Sequence, residues 1–193
     1  LLLCITAPAF AHADALFDVE KRRNLLQTTE YAPAKTACLA PDITLPETLE
    51  APVVGLTTTE GYGSDKQSQD FAWQVMVLSG RALAGDTAST DRLKALLLAW
   101  ASANALEASD EAHDTYYALK RTMLPVITAY SILKSQLSTE KQAQLQQWID
   151  NIVRKLDKHF DGDVDHNNHR YLADSVLTAW GVETGDNQLV EQG

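Results

Sequence analysis

Side chains that could do chemistry are concentrated in one stretch of the sequence, between residues 161 and 171. The stretch reads DGDVDHNNHRY and lies between two segments with strongly apolar helical patterns. Carboxylate, amide and imidazole groups bind metal ions, hold anions and move protons. Functional side chains also favour a loop or helix start that rigid elements hold in place. This stretch is therefore the first candidate for a functional site.

The acidic half of the stretch has the spacing of a calcium-binding loop. Asp161, Asp163 and Asp165 occupy alternate positions, as the first ligands of such a loop do. The same loop requires glycine at its sixth position and glutamate at its twelfth, where this sequence has His166 and Leu172. A solvated acidic turn is therefore favoured over a calcium site.

The histidines offer a second metal hypothesis. His166 and His169 are separated by two residues, and His159 lies upstream. A zinc site needs at least three protein ligands in a defined geometry, and no cysteine or histidine pair elsewhere in the sequence completes the set. We therefore expect no metal and no other cofactor.

The third hypothesis is a metal-free site at the start of a helix. There the side-chain amide of Asn168, the imidazole of His169 and the helix-terminal N–H groups could together hold a carboxylate. In the structural alternative, Asn168 only caps the helix and His169 packs on its flank. The residue types alone favour the structural alternative, because a lone histidine has many uses.

The overall composition limits the class of partner. The 193 residues are 45% apolar and 22% charged, which is typical of a soluble globular domain rather than a disordered chain. With 26 acidic and 16 basic residues the net charge is −10, so a nucleic-acid partner is not expected. An anionic ligand would need a local cluster of bases, for which Lys120, Arg121 and Arg170 are candidates.

The first residues predict export. Residues 1–13 contain no Asp, Glu, Lys or Arg and end on an Ala-x-Ala pattern, which is typical of the end of a secretory signal peptide. The apolar run is too short to span a bilayer, so we expect a periplasmic or secreted protein without a stable membrane anchor. Cleavage would remove Cys4 and leave Cys38, for which a structural role is favoured over a nucleophilic one.

The rest of the chain predicts an all-α fold. A short charged helix spans Asp18 to Leu26, and the proline-containing segment 31–65 predicts an extended arm. Apolar residues then repeat at helical spacing, with Pro125 as an expected kink and a capping box from Thr139 to Gln142. The helices are expected over about 67–83, 91–108 and 112–134, from 139 onward, and over 168–182.

Short linkers make successive helices antiparallel hairpins. Hairpins of this length bury their apolar faces only by stacking, either as an open solenoid or as a closed toroid.

These patterns together divide the chain into three parts. We expect residues 1–13 to be a signal-peptide remnant, 14–66 an arm with a short helix, and 67–193 the helical body.

One run in the sequence resembles a known family signature. Asn167-Asn168-His169-Arg170-Tyr171, followed by an apolar helix, resembles the N-N-H-x-Y signature of the periplasmic alginate lyases, the mannuronate-preferring polysaccharide lyase family five. Less specific matches follow the family's order along nearly all of the chain after residue 13. They are Tyr31-Ala32-Pro33 with Cys38 and Pro41, Gly63-Ser64-Asp65, Arg81, Ala84-Gly85-Asp86, Leu98-Ala99-Trp100-Ala101, Asn187-Gln188 and Gln192-Gly193.

The resemblance implies an (α/α) toroid, or part of one, that cleaves polymannuronate by β-elimination. It assigns Asn168 and His169 to the sugar carboxylate and the proton transfer, and it implies no metal. Two departures stand out: Glu60 replaces a family lysine, and the sequence ends at Gly193, before the family's catalytic tyrosine and substrate-binding arginine. We therefore expect this 193-residue chain to be inactive by itself.

Several further residues are candidates for substrate binding. Tyrosines could stack on sugar rings, although aromatic residues at helical spacing are more often core, as we expect for Trp100. Bases could supply positive potential for an alginate-like polyanion, although a solvated surface role is favoured for each one taken singly. The candidates are Asn167, Arg170, Tyr171, Tyr62, Tyr116, Tyr117, Lys120 and Arg121.

Two other functions stay open. An (α/α) glycoside hydrolase would use a carboxylate pair, for which Asp161, Asp163 and Asp165 are candidates. A non-catalytic helical module that binds polysaccharide would need no reacting groups. We expect the protein to be a monomer.

Overall fold

The structure, a computed structural model, describes residues 16–40, 43–57, 66–111, 113–160 and 168–193, without the side chains of 113, 114 and 158–160. In these residues all regular structure is helical, which confirms the predicted all-α class. The helices are α1 (Val19–Leu26), α2 (Ala32–Cys38), α3 (Lys66–Leu83), α4 (Thr87–Ser102), α5 (His113–Leu133), α6 (Thr139–Phe160), α7 (Asn168–Thr184) and α8 (Asn187–Gln192), with a 3-10 turn over Lys134–Gln136.

The long helices form two layers. α5 packs against α3 on one side and α7 on the other, while α4 and α6 pack together and against these three. α5 and α7 run in the same direction, because Lys120 contacts His169 near their starts and Lys134 contacts Glu183 near their ends. An inner row of parallel helices with an outer row between them is the arrangement of an (α/α) toroid.

Three tryptophans anchor the core between the layers. Trp100, Trp148 and Trp180 are at most 2% exposed, so the expectation that Trp100 is a core residue is confirmed. Each indole N–H donates a hydrogen bond, which removes the penalty for burying a polar tip. The acceptors are the backbone oxygens of Glu50 (2.9 Å) and Ala105 (2.8 Å) and Oδ1 of Asp150 (3.0 Å).

Two helices end by the same device, a glycine in the left-handed region followed by a capping aspartate. Gly85 (φ 99°) follows α3 and Gly185 (φ 74°) follows α7. The carboxylates of Asp86 and Asp186 then accept hydrogen bonds from the first N–H groups of α4 and α8. The predicted end of α3 at Gly85 is confirmed, whereas the short helix α8 was not predicted.

The boundaries of α4 and α6 differ from the prediction. α4 begins at Thr87, not at 91, because Asp86 caps it. It ends at Ser102, not at 108, because the chain turns through left-handed residues at Asn104 and Leu106. Capping of α6 comes from Ser138, whose hydroxyl accepts from the N–H of Lys141 at 3.4 Å, and not from Thr139. Pro125 lies inside α5, and the helix continues through it.

The arm is helical in part, which corrects the expectation of a wholly extended segment. α2 forms within it because its proline lies in the first turn, where a missing N–H leaves no bond unmade. The arm is fastened to the body by Arg81, which donates to the carbonyl of Ile43 at 2.6 Å, and by Arg92, which donates to Pro46 at 2.8 Å. Cys38 is a free, half-buried cysteine.

The end of the arm pairs with the chain that follows α4. Backbone N–H groups of Leu106 and Asp110 donate to the carbonyls of Val53 and Leu56, at 2.7 and 3.0 Å. A β-carbon on Gly55 would lie 2.4 Å from the backbone of Ala108, so this close approach needs glycine. Within the described residues, no helix is both long enough and apolar enough to cross a membrane.

Candidate functional site

A groove of about 490 Å³ lies between α3 and α5 and reaches Leu172 of α7. Trp73 and Met76 form part of its α3 wall and are 47% and 48% exposed. The polar groups that line it come from both helices. They are Ser68, Gln69, Asp70, Lys120, Arg121 and Thr122.

Lys120 joins this groove to the start of α7. Its side chain is buried within the fold, and its ammonium donates a hydrogen bond to the carbonyl oxygen of His169 at 3.0 Å. A hydrogen bond from a charged donor is stronger than a neutral one, so this contact fixes the first turn of α7 relative to α5.

Three side chains form a row from the groove to the same helix start. The ring of Tyr117 lies 4.6 Å from the ring of His169, centroid to centroid, with an interplanar angle of 40°. The same tyrosine also contacts Arg121, whose guanidinium carbon lies 5.6 Å from the centroid of the Tyr117 ring. Tyr117 and Arg121 are one helical turn apart on α5, so the helix itself sets this alignment.

The structure separates the two neighbours in the signature run. Asn168 is exposed as the first residue of α7, whereas His169 is 6% exposed and packs against Tyr117. The amide is therefore accessible to a ligand. The packing of His169 is the one that the structural alternative predicts. Its backbone carbonyl accepts a hydrogen bond from Lys120, which lines the groove.

Several predicted residues lie outside the described part of the chain. They include Asn167 and Tyr62 and the whole candidate cation loop from Asp161 to His166. The same holds for the side chain of His159 and for Glu60.

The structure does not bring Arg170 and Tyr171 into the groove. Arg170 pairs with Asp174 at 2.7 Å and donates to the carbonyl of Gln192 at 3.2 Å, which joins α7 to α8. Tyr171 is 74% exposed and lines a different groove, together with Asp174 and Val182. Neither is among the described residues that line the groove with Lys120 and Arg121.

Tyr116 is a core residue, which corrects its assignment as a surface that stacks on sugars. It is 2% exposed. Burial raises the pKa of its hydroxyl, and the charges of Glu111 and Asp110 raise it further. Its neighbour Tyr117 is half-buried and takes part in the row described above.

The groove is locally cationic although the protein is acidic. Among the described residues that line it are two cations, Lys120 and Arg121, and one carboxylate, that of Asp70. Asp70 also pairs with Lys66 on the same helix, and this hydrogen bond raises the pKa of the Lys66 ammonium. The groove thus provides the local positive charge that an anionic ligand requires.

Sequence reasoning missed Trp73. The apolar stripe of α3 was read through Phe71, Val75 and Leu78, which are all buried. Trp73 falls on the opposite face, three residues from both Asp70 and Met76, and all three line the groove. An aromatic residue off the apolar stripe was the available signal.

Comparison with known proteins gives a match by structure alone. No protein-family model matches the sequence, and no curated protein matches it. The structure is similar to alginate lyase A1-III in a tyrosine-to-phenylalanine variant complexed with tetrasaccharide, with a TM-score of 0.73 and 21% identity over 93% of this chain and 56% of that one.

Two further solved structures give the same result. Alginate lyase A1-III from Sphingomonas species A1 has a TM-score of 0.69 and 21% identity over 93% of this chain and 57% of that one. A histidine-to-alanine variant complexed with tetrasaccharide has a TM-score of 0.69 and 20% identity over 93% and 56%. The chain thus spans just over half the length of these enzymes. Its fold is an (α/α) toroid fold like that of alginate lyase A1-III.

Proposed function

We propose that the protein carrying this chain is a polysaccharide lyase that cleaves an alginate-type polyuronate by β-elimination. The observation that carries the proposal is the row formed by Arg121, Tyr117 and His169, which joins a cationic groove to the helix start bearing the NNHRY run. The likeness of fold to alginate lyase A1-III supports the same reaction class.

The chemistry requires a carboxylate to be neutralised. In β-elimination a base removes the C5 proton beside the sugar carboxylate, the C5–H electron pair forms the C4=C5 double bond, and the C4–O4 bond breaks. The departing O4 takes up a proton. Because a carboxylate makes the C5 proton very weakly acidic, the enzyme must hold the charge that develops on it in the transition state.

We assign the direct carboxylate contact to Asn168. Its amide is exposed at the first residue of α7, where the helix N-terminus also favours negative charge. His169, held between Tyr117 and Lys120, is the second donor. In mannuronate the C5 proton and O4 lie on the same side, so one group can act first as base and then as acid. The family resemblance gives this role to a tyrosine.

The sequence also supports a site of action outside the cytoplasm. Residues 1–13 have the pattern of the end of a signal peptide. An exported enzyme would encounter a polymeric uronate outside the cytoplasm. We propose that the protein works as a monomer on this anionic polysaccharide.

A non-catalytic polysaccharide-binding module is the second candidate, and the 6% exposure of His169 favours it. The test is to incubate the full-length protein with polymannuronate and follow the ultraviolet absorbance of unsaturated uronate ends. A lyase produces this absorbance. A hydrolase produces reducing ends without it, and a binding module produces neither, so either of these results would reject the proposal.

A further inference from the structure

Two lysines connect α5 and the turn that follows it to α7, one near each end of the helix pair. Near the helix starts, the ammonium of Lys120 donates to the carbonyl oxygen of His169 at 3.0 Å. Near the helix ends, that of Lys134 donates to the carboxylate of Glu183 at 2.7 Å. The partners in both contacts are 49 residues apart in the sequence, so the two helices run side by side in one register. The contacts lie about 21 Å apart along the helices, at about 1.5 Å per residue.

The two contacts differ in what they hold. Lys134 binds a side chain, the buried carboxylate of Glu183, and so compensates its charge. Lys120 is itself buried and binds the backbone, at the second residue of α7. A contact to a backbone carbonyl fixes the path of the chain, whichever side chain that residue carries.

The start of a helix is the part that most needs such a contact. The first N–H groups of a helix have no partner within it, so its first turn frays readily. In α7 this turn begins with the exposed Asn168, followed by His169. A group that acts on a substrate must be held within about 0.5 Å of its productive position. A misplacement of about 1 Å can cost about 100-fold in rate.

We propose that Lys120 is a positioning residue, which through the His169 carbonyl holds the first turn of α7 and so keeps the Asn168 amide where the sugar carboxylate is bound. Lys120 acts here through the backbone and not on the sugar. The inference rests on the proposed function for the role of Asn168. It assigns the two lysine contacts different tasks, since the contact of Lys134 with Glu183 stabilises the fold at the far end of the same helices.

Amide hydrogen exchange in the unmodified full-length protein examines the hold on the helix start. The N–H of Ala173 lies four residues beyond His169, so the helix directs it at the same carbonyl oxygen that Lys120 binds. Leu177, in the middle of α7, is the reference, because both residues are buried. Ala173 should exchange as slowly as Leu177, to within about tenfold. Faster exchange of Ala173 would show a frayed first turn and overturn the inference.

Matched variants measure the effect on the reaction. Lys120→Met should lower kcat for polymannuronate about 10- to 100-fold, because the amide is misplaced when charge develops on the carboxylate. KM should change less than about threefold, since contacts elsewhere along the polymer remain. Glu183→Gln is the control, because it weakens the other contact without leaving a buried charge unpaired. It should lower stability and leave kcat unchanged.

A double-mutant cycle separates positioning from stability. The Asn168→Ala protein has no amide to position, so adding Lys120→Met should lower its kcat by less than about threefold further. A loss of folded protein would instead lower turnover by the same factor in both backgrounds. Circular dichroism records the folded fraction of each variant.

The outcomes distinguish this inference from the proposed function. In an active lyase, an unchanged kcat of Lys120→Met, or equal losses in the two backgrounds, would overturn the inference alone. A protein that forms no unsaturated ends would reject the proposed function instead. Slow exchange of Ala173 in that protein would still support the part of the inference that concerns the helix start.

Discussion

The ammonium of Lys120 on α5 donates a 3.0 Å hydrogen bond to the backbone carbonyl of His169, in the first turn of α7. α5 and α7 are separated in the sequence by α6, and this contact joins them in the folded protein. It does so at the NNHRY run, which contains the candidate catalytic residues. The buried lysine thus both lines the groove and fixes the helix start.

Replacing Lys120 by methionine should therefore destabilise the protein. Methionine keeps most of the volume but leaves the His169 carbonyl without this donor, so the free energy of unfolding should fall by roughly 1–3 kcal/mol. Urea denaturation measures the change. The exposed Lys141 on α6 provides the control, because Lys141→Met should alter stability by less than about 0.5 kcal/mol. Equal effects of the two substitutions would contradict the role of the hydrogen bond.

Asn168 should be required as an amide. Asn168→Asp preserves its shape but replaces a donor with an anion that faces the sugar carboxylate, so turnover of polymannuronate should fall about 100- to 1000-fold, as for the loss of one oxyanion donor. The rate of formation of unsaturated ends in the full-length protein measures this. Asn24→Asp changes an exposed asparagine on α1 in the same way and should leave turnover unchanged. Near-normal activity of Asn168→Asp would reject the assignment.

Local patterns predicted the helical body well. The stripe through Phe71, Val75 and Leu78 identifies α3, because each residue three or four positions on returns to the same face of a helix. The end of α3 at Gly85 was also predictable, because glycine adopts a positive φ more readily than other residues do. The helix α8, from Asn187 to Gln192, is too short to show a period, so its capping Asp186 went unrecognised.

The site was only partly predictable. The NNHRY run makes Asn168 and His169 candidates from the sequence alone. The groove instead depends on which helices pack together, and that is a long-range property of the fold. Arg170 illustrates the difference: it lies beside His169 in the sequence, but its side chain pairs with Asp174 of α7 and donates to the carbonyl of Gln192 of α8. Neighbours on a helix point about 100° apart, so adjacency in sequence does not place two side chains in one groove.

Tyr130 should make the protein sensitive to alkali. Burial, and secondarily the charge of Glu183, raises the pKa of Tyr130 to about 12 from 10.0. The unfolded chain therefore releases this proton at lower pH than the folded chain, so stability falls as the pH rises from 10 toward 12. Unfolding midpoints measured across this range should decline less in Tyr130→Phe. Parallel declines in the two proteins would show that other groups dominate.

Chelation should leave activity unchanged. The candidate cation loop lacks the glycine and glutamate that calcium loops require, having His166 and Leu172 at those positions. Full-length protein treated with excess chelator and then desalted should cleave polymannuronate at its original rate. A large loss of rate that added calcium or zinc restores would revive the metal hypotheses.

Two glycines within helices should respond in opposite ways to alanine. A β-carbon on Gly181 of α7 would lie 2.8 Å from the carbonyl oxygen of Asp186 and 2.9 Å from the backbone nitrogen of Val190. Backbone atoms cannot move aside as a flexible side chain can, so Gly181→Ala should cost roughly 1–3 kcal/mol of unfolding free energy.

At Gly80 of α3 the nearest atom would be the sulfur of Cys38 at 3.7 Å, an ordinary contact. Gly80→Ala should therefore stabilise the protein by about 0.4–1 kcal/mol, since alanine loses less backbone entropy on folding. Thermal unfolding of the two variants side by side checks both signs, and a stable Gly181→Ala would show that α7 and α8 are not packed this closely.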